Sequence, residues 1–434
     1  MSKIISKLLI SIGALTAATS VSFAQTTAIM NARVHTVSGD VIENGDVIIT
    51  NARIADIGAN LTAPAGATVI DGEGKVVTPG IVAPYSSLGL KEINLDAEAN
   101  DASAGFGQSF VLGAALDSMD AYNPDSILIP VNRAGGVTRA LSAPIGGDKV
   151  FSGQAAVIDL SGSVNSVTRP RAVQIAAYGY AGAARAGDTR MGAMALLREY
   201  LDEARSYAAN PNDYVRRPRE ERFALSDLKA LGAVISGAQP LMISANSGSD
   251  IRRVIELQRR YGLRVIIVGG REAWRVAPAL VRANIPVILD PMHNLPDRFE
   301  SLSSTLENAG RLADAGVEIG FYDPQGGGAH NLHLLTQQAG NAVANGLAYD
   351  DAIAALTLHP ARMLGLGDQL GSLEVGKIAD VVVWDGDPLE LSSQAEAVFI
   401  NGVRQSLENR QTKLLQRYRD LSRGELPHAY RGGE

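Results

Sequence analysis

The 434-residue chain contains no cysteine, and aromatic residues make up only 5% of it. The lack of cysteine excludes disulfides, thiolate nucleophiles and cysteine-based metal sites. The small number of aromatic side chains disfavours an aromatic-rich binding groove. A surplus of basic residues is also missing, because the formal net charge is −7. The sequence therefore predicts no nucleic-acid partner.

Long hydrophobic runs are scarce as well, and the most marked one lies at the N-terminus. Two early lysines precede an uncharged apolar run over residues 8–19, which Ser22-Phe23-Ala24 follows. A run of about a dozen residues is shorter than the roughly 20 that a membrane span needs. The pattern predicts a signal peptide over residues 1–24, cleaved near Ala24, and a periplasmic or secreted protein without a membrane anchor. A buried N-terminal helix is the alternative.

What the sequence does contain is a regular alternation of apolar runs and turns. Short strand-like runs occupy both ends, over residues 27–78 and 370–403. Between them, strands that are apolar throughout alternate with amphipathic helices, which is typical of a parallel sheet buried on both faces. Eight such runs lie at 80–83, 137–142, 154–160, 172–177, 240–245, 263–268, 285–290 and 317–322. They predict an α/β fold with a closed (β/α)8 barrel, and a doubly wound open sheet is the alternative.

These patterns divide the chain into a signal segment and three structural parts. One β-sandwich domain is built from residues 25–78 and 365–403, and the barrel covers residues 79–364. A C-terminal helix and tail occupy residues 404–434. We predict a charged amphipathic helix over 406–421 that packs on its own barrel or contacts a partner.

Several segments together resemble a known family. They read VVTPGIVAPYSSLGL over 76–90, PLMISAN over 240–246 and LTLHPARMLGLGDQLGSLEVGKIADVVVWDGDPL over 356–389. The chain is similar to the amidohydrolase superfamily, in its imidazolonepropionase-like branch of metal-dependent hydrolases. The resemblance implies a distorted TIM barrel with a composite β-sandwich, and hydrolysis of non-peptide C–N bonds. It also implies one or two divalent metals, normally zinc, at the C-terminal mouth of the barrel.

The residues at the family's metal-ligand positions depart from that pattern. Family members carry a His-x-His after strand 1, Lys or Glu on strand 4, His after strands 5 and 6, and Asp after strand 8. The corresponding residues here are Tyr85, Ser87, Gln174, Ser244, Arg271 and Asp323. Neutral hydroxyls are poor zinc ligands and a guanidinium repels a dication, so we expect no bound metal or other cofactor. Asp323 is the single candidate catalytic base.

Other polar residues are candidates for the barrel mouth. Asp290 and His293 follow the seventh strand, where they fit acid–base chemistry or a loop hydrogen-bond network equally well. His330 and His333 lie three residues apart and fit either metal ligation beside Asp323 or a helix cap. The candidate substrate-binding residues are Tyr85, Ser244, Arg271, Asp290, His293 and His330. We interpret His35 as a surface residue and His359 as structural.

Two functions remain open from the sequence. The first is a non-catalytic member of the family, a pseudoenzyme that binds a small polar ligand at the barrel mouth. Such a protein would form a homo-oligomer or pair with a relative whose metal site is intact. The alternative is an active hydrolase of a cyclic amide or dipeptide-like substrate, acting through an altered or metal-free site. In that case Asp323 would be the base, with His293 or His330 as its partner.

Overall fold

The computed structural model describes residues 26–103, 111–216, 223–324 and 328–419. The predicted signal segment lies outside these residues. Within the described ranges, no helix is both long enough and apolar enough to cross a membrane.

Both ends of the chain meet in one sheet. The strands run in the order β16-β15-β14-β5-β1-β2-β3, and β4 pairs with β1 beside β5. Strand β5 pairs antiparallel with β14, so that Val77 lies opposite Val383. The expected composite domain is therefore present, as a single branched sheet. Its strands are β1 Thr26–Val34, β2 Ile42–Thr50, β3 Arg53–Ala59, β4 Thr68–Asp71, β5 Val76–Pro79, β14 Val381–Trp384, β15 Ala395–Ile400 and β16 Val403–Arg404.

Eight further strands form the barrel that the alternation of apolar runs predicts. They pair in chain order from β6 to β13, and β13 lies against β6, so the barrel is nearly closed. Each predicted run falls on one of these strands. Their bounds are β6 Ile81–Ser86, β7 Val137–Ser142, β8 Phe151–Asp159, β9 Val167–Ala177, β10 Leu241–Ala245, β11 Val265–Gly269, β12 Val287–Leu289 and β13 Ile319–Phe321.

The prediction that every barrel strand is parallel and followed by a helix is wrong for the third strand. Strand β8 pairs antiparallel with both β7 and β9. The connections on its two sides, residues 143–150 and 160–166, contain no helix. A parallel crossover needs a dozen or more residues, so connections this short force a reversal of direction.

Helices cover the outside of the barrel. In α6 the Ser247 side chain accepts a hydrogen bond from the Asp250 N–H at 3.1 Å, and Gly262 ends the helix with a φ of +70°. The predicted C-terminal helix begins at Arg410 rather than at residue 406, because the Asn409 side chain caps it, and none of its residues over Arg410–Tyr418 is buried. The helices are α1 Leu128–Ala134, α2 Gly179–Ala183, α3 Arg190–Ala209, α4 Pro211–Arg216, α5 Leu225–Ile235, α6 Gly248–Tyr261, α7 Ala277–Ala283, α8 Asn308–Asp314, α9 Leu335–Ala344, α10 Tyr349–Leu356, α11 Leu358–Met363 and α12 Arg410–Tyr418.

A buried ion pair joins the barrel to the sheet domain. Arg139 on β7 donates from Nε to Asp380 at 2.6 Å and from Nη2 to Asn401 at 2.7 Å. Asp159 at the end of β8 lies 3.7 Å from the same guanidinium. All three charged side chains are almost completely buried. Because Asp380 ends the motif GSLEVGKIAD, the structure gives that part of the motif a structural role.

Candidate functional site

The register of the parallel strands places four strand ends at one level. Ala245 pairs with Gly269, Gly269 with Leu289, and Leu289 with Phe321. The residues that follow these strands therefore surround the mouth of the barrel, as chain order predicts for a parallel barrel. Tyr85, Ser244, Arg271, Asp290 and Asp323 all lie at or just beyond such ends.

Two tyrosines fill the top of the barrel interior. The ring of Tyr85 meets the ring of Tyr322 edge-on, with 5.7 Å between centroids and 80° between planes. Both rings pack on the apolar cluster inside the barrel, which includes Leu141 and Val268.

Burial raises the pKa of Tyr85 to about 12, against an opposing effect of the charge on Arg185. Burial also raises the pKa of Tyr322, and nearby Asp290 adds to that shift. Both phenols are therefore neutral near pH 7.

Asp323 and Ser244 are held close to this aromatic pair. Asp323 is 4% exposed, and Gln338 on α9 donates to its Oδ1 at 3.4 Å. The hydroxyl oxygen of Ser244 is buried and makes no hydrogen bond with any described residue. A buried hydroxyl without a partner costs free energy, which a polar ligand would recover.

The two residues after the seventh strand belong to different hydrogen-bond groups. The Asp290 carboxylate accepts from the Met292 N–H at 2.9 Å. Burial raises the pKa of Asp290, although that hydrogen bond and the charges of His293 and Arg271 oppose the shift. Arg271 pairs instead with Asp297 at 2.9 Å. His293 Nε2 lies 3.4 Å from the same Asp297 oxygen but without hydrogen-bond geometry. Arg271 and His293 are thus engaged largely in a loop network.

The structure places other sequence candidates away from the mouth. Gln174 pairs with Leu241, the first residue of β10, so it lies three residues below the level of Ser244 and deep in the barrel. Gln174 thus lies on the fourth barrel strand, where the resemblance puts it, but below the level of the strand ends. Its amide donates to the Gly153 carbonyl at 2.9 Å.

The two histidines after the last strand do not converge on one point. His330 Nε2 is 3.0 Å from the Glu92 carbonyl oxygen, and His333 Nδ1 is 3.3 Å from Asn132 Oδ1. Both line a crevice next to α12, outside the barrel. His359 bonds the Ile319 carbonyl, as its structural interpretation requires. His35, expected at the surface, is only 4% exposed and packs against Tyr349, so that expectation is wrong.

Sequence reasoning missed one residue at the mouth. Arg185 lies just after α2, the short helix that follows β9, and its charge acts on the phenol of Tyr85. Its side chain is half-buried, and burial lowers the pKa of its guanidinium. Its guanidinium makes no hydrogen bond or ion pair with the described residues, although the charge of Asp148 acts on it. No motif surrounds Arg185, so only the fold reveals that it faces this site.

The residues at the mouth do not fit a zinc centre. Among the described residues, no group of three His, Cys, Asp or Glu side chains is placed to hold a metal. Where ligands are needed, the chain offers a neutral phenol at Tyr85, hydroxyls at Ser87 and Ser244, and a guanidinium at Arg271. Zinc sites use imidazole, carboxylate and thiolate groups in sets of three or four.

Comparisons with known proteins agree with this architecture. The amidohydrolase family model matches residues 240–409. An amidohydrolase structure from Thermotoga maritima is 27% identical with a TM-score of 0.78, and the match covers 88% of this chain and 100% of that one. An imidazolonepropionase from a Polaromonas species is 27% identical over 392 residues, or 81% of this chain and 84% of the relative. The amidohydrolase tasK from Hapsidospora irregularis is 24% identical over 83% of this chain, which spans only 40% of tasK.

The fold and the site thus define a nearly closed, TIM-like barrel with an added sheet domain built from both chain ends. The family-model match, these relatives and the structural neighbour together support the amidohydrolase superfamily, in its imidazolonepropionase-like branch, as the family of this chain.

Proposed function

We propose that this protein is a non-catalytic amidohydrolase that binds a small polar ligand at the mouth of its barrel and holds no catalytic metal. The observation that carries the proposal is the Tyr85–Tyr322 pair, which fills the space above the apolar barrel core. The fold persists while the chemistry of the site is replaced, and chemistry depends on the site rather than on the fold.

The packing at the mouth supports the same interpretation. Tyr85 and Tyr322 both pack on the apolar cluster of the barrel interior, and two cavities of 690 and 650 Å³ flank α12 on the outside of the barrel. Here the mouth offers a polar rim above a packed floor, which suits binding better than turnover.

The rim also indicates the charge of the ligand. Arg185 provides a half-buried cation whose guanidinium makes no hydrogen bond or ion pair with the described residues, although the charge of Asp148 acts on it, and Ser244 provides a buried hydroxyl without a hydrogen bond. An anionic group on a small polar molecule satisfies both. We therefore expect Arg185→Ala to weaken binding of small carboxylates about tenfold or more, and Arg185→Lys to weaken it less. Calorimetric titration with a panel of amino acids and N-acyl amino acids measures this.

The metal content provides the direct test. We expect less than one tightly bound zinc, manganese or iron per chain after purification without chelator and gel filtration. Inductively coupled plasma analysis of a relative with intact His ligands, prepared in parallel, controls for metal lost during handling. Stoichiometric metal in this protein would contradict the proposal, and His330, His333 and Asp323 would then be the first ligands to substitute.

An active hydrolase is the second candidate, and Asp290 and Asp323 favour it. Both are carboxylates at the mouth, and burial raises the pKa of Asp290 above its ordinary value, which is the direction that favours a general acid or base. If the protein is an active hydrolase, we expect turnover of cyclic amides or dipeptide-like substrates, and we expect Asp323→Asn to abolish that turnover. In the matched control Asp297→Asn, which alters the neighbouring loop network, turnover would persist. Absence of turnover on such a panel supports the non-catalytic protein.

We also propose that the protein is exported. The support is the N-terminal pattern of two lysines, an apolar run over 8–19 and Ser22-Phe23-Ala24. The intact mass of the protein from its own host is then expected to match a chain that begins at Gln25. Recovery of a form that still contains residues 1–24 would contradict export by this route.

A further inference from the structure

An exposed loop beside the barrel mouth carries an unusual combination of residues. Residues 91–101 follow β6 and present Leu95, which is 99% exposed, together with Ile93, which is 55% exposed. Glu98 and Asp101 lie on the same loop and are also exposed. We call this segment the acidic loop. The loop therefore offers an apolar pair, Ile93 and Leu95, next to carboxylates, which is a combination that a partner with an apolar and cationic surface could contact.

The acidic loop is held in shape at its base. The Glu92 N–H donates to the Ala99 carbonyl at 2.9 Å, and the Asp101 N–H donates to the Leu90 carbonyl at 2.8 Å. The carboxylate of Asp96 accepts from the Glu98 N–H at 3.0 Å and starts a short 3₁₀ turn. Because these bonds order the loop before any contact forms, a partner need not provide the ordering free energy.

A groove of opposite character lies along α12. It has a volume of 690 Å³ and combines apolar walls, which include Ile127 and Leu414, with a cationic edge. Arg410, Lys413 and Arg417 lie at positions i, i+3 and i+7 of α12 and therefore share one face of the helix. The full lining has four cations and two carboxylates, although the chain as a whole has a net charge of −7. We call this the basic groove.

We propose that the acidic loop of one copy of this chain docks into the basic groove of a second copy. Leu95 would enter between the apolar walls, and Glu98 and Asp101 would face Arg410 and Arg417. Charge complementarity selects the occupant, because a second copy supplies an apolar side chain and carboxylates on a preformed loop. The proposal does not depend on whether the barrel mouth is catalytic.

Both surfaces lie on one flank of the molecule, which permits a closed dimer. The Glu92 carbonyl of the loop is bonded by His330, and His330 lines the same crevice as Gln411 and Thr412 of α12. A two-fold axis next to this flank pairs each loop with the other copy's groove, so the contact forms twice. Since the acidic loop follows β6, the second copy would also border the barrel mouth.

The test is a charge exchange between the two surfaces, followed by analytical ultracentrifugation of the purified protein. The loop variant Glu98→Lys/Asp101→Lys leaves the Asp96 cap intact. The helix variant Arg410→Glu/Arg417→Glu changes two side chains that have no hydrogen bond or ion pair among the described residues. We expect the unmodified protein to be a dimer, and each variant alone to dimerise at least about tenfold more weakly.

Mixing the two variants distinguishes this contact from any other. In the mixture each loop meets a groove of opposite charge, so we expect a dimer to form again. Leu95→Asp is expected to weaken the dimer alone and in any mixture, because its loop then places a charge between apolar walls. The control Lys229→Glu/Arg259→Glu changes the charge by the same amount as the helix variant, at exposed positions of α5 and α6. It should leave dimerisation unchanged.

Three results would overturn the proposal. One is a monomer at about 100 μM, a concentration at which even micromolar association is visible. Another is a dimer that ignores the charge exchange. The third is a complex with an intact relative that forms in preference to the self-complex and depends on α12, which would assign the basic groove to a different occupant.

Discussion

Polar side chains hold together the turn that precedes β14, residues 371–377 with the sequence GSLEVGK. Lys377 donates from Nζ to the Gly367 carbonyl at 2.8 Å and to Ser372 Oγ at 2.6 Å, and it lies 2.9 Å from Glu374. Ser372 in turn donates to Glu374 at 2.6 Å. The hydrogen bond from Ser372, followed by that from Lys377, lowers the pKa of Glu374 to about 2. The turn is therefore a small charged network that fixes the entry into β14.

This network predicts an acid-dependent loss of stability. A carboxyl whose pKa is depressed in the folded state stabilises the fold above its ordinary pKa of 4.5, and that stabilisation is lost as the pH falls toward 2. Glu374 is partly exposed, so solvent screening limits its contribution to under about 1 kcal/mol. We expect Glu374→Gln to flatten the decline in the free energy of unfolding between pH 4.5 and 2, as measured by urea denaturation.

A variant of a different surface carboxylate controls for general acid effects. Glu318→Gln removes an exposed ion pair with Arg362 and should leave the pH profile close to that of the unmodified protein. A Glu374→Gln profile that runs parallel to the unmodified one over this range would contradict the role given to Glu374.

At the same scale, the resemblance to the amidohydrolase superfamily predicts part of the candidate site. It places Tyr85, Ser244 and Asp323 at the mouth, and the structure has each of them at or just beyond the end of a barrel strand. The depth of Gln174 below the mouth could not be predicted, because strands buried on both faces are apolar throughout and carry no mark of register. Arg185 could not be predicted, because its position depends on the loop after α2 rather than on any local pattern.

At the scale of elements, periodicity located every barrel strand but not the direction of one of them. The apolar run of β8 looks the same whether its neighbours are parallel or antiparallel. The signal that distinguishes them is the length of the connections, residues 143–150 and 160–166, which leaves no room for a crossover helix. The lengths of these two connections, considered together with strand composition, predict that β8 runs antiparallel to its neighbours.

One turn between elements gives a sharp prediction of stability. Gly402 joins β15 to β16 with a φ of +73°, and a Cβ there would overlap the carbonyl oxygen of Asn51. We expect Gly402→Ala to reduce the free energy of unfolding by about 3 kcal/mol, because backbone strain and a steric clash add together.

The matched control is Gly376, which has a φ of +89° but no atom within 4 Å of an added Cβ. Gly376→Ala should cost only the conformational term, about 1–2 kcal/mol. Equal losses in the two variants would show that the contact with Asn51 is unimportant. Chemical denaturation at one pH measures both.

At the scale of the whole molecule, the question is what makes the barrel and the sheet domain unfold together. The sheet joins residues from both ends of the chain, so its formation depends on the barrel that lies between them. Arg139 and Asp380 connect the two parts, and each side chain is 2% exposed. Asn401 reinforces the contact through its backbone N–H, which donates to Asp380 at 2.9 Å.

We expect Asp380→Ala to reduce the free energy of unfolding by about 3–5 kcal/mol, because it leaves the Arg139 guanidinium buried without its main partner. Glu396→Ala, which breaks the partly exposed pair with Lys75, should cost no more than about 1 kcal/mol.

The double variant Arg139→Met/Asp380→Leu should regain most of the loss, since an apolar pair of similar size needs no charge compensation. If the ion pair couples the two parts, we expect the unmodified protein to unfold in one urea transition and Asp380→Ala to unfold in two, as followed by circular dichroism and tryptophan fluorescence. A loss below about 1 kcal/mol with one unchanged transition would place the coupling elsewhere, in the apolar packing between β7 and β15.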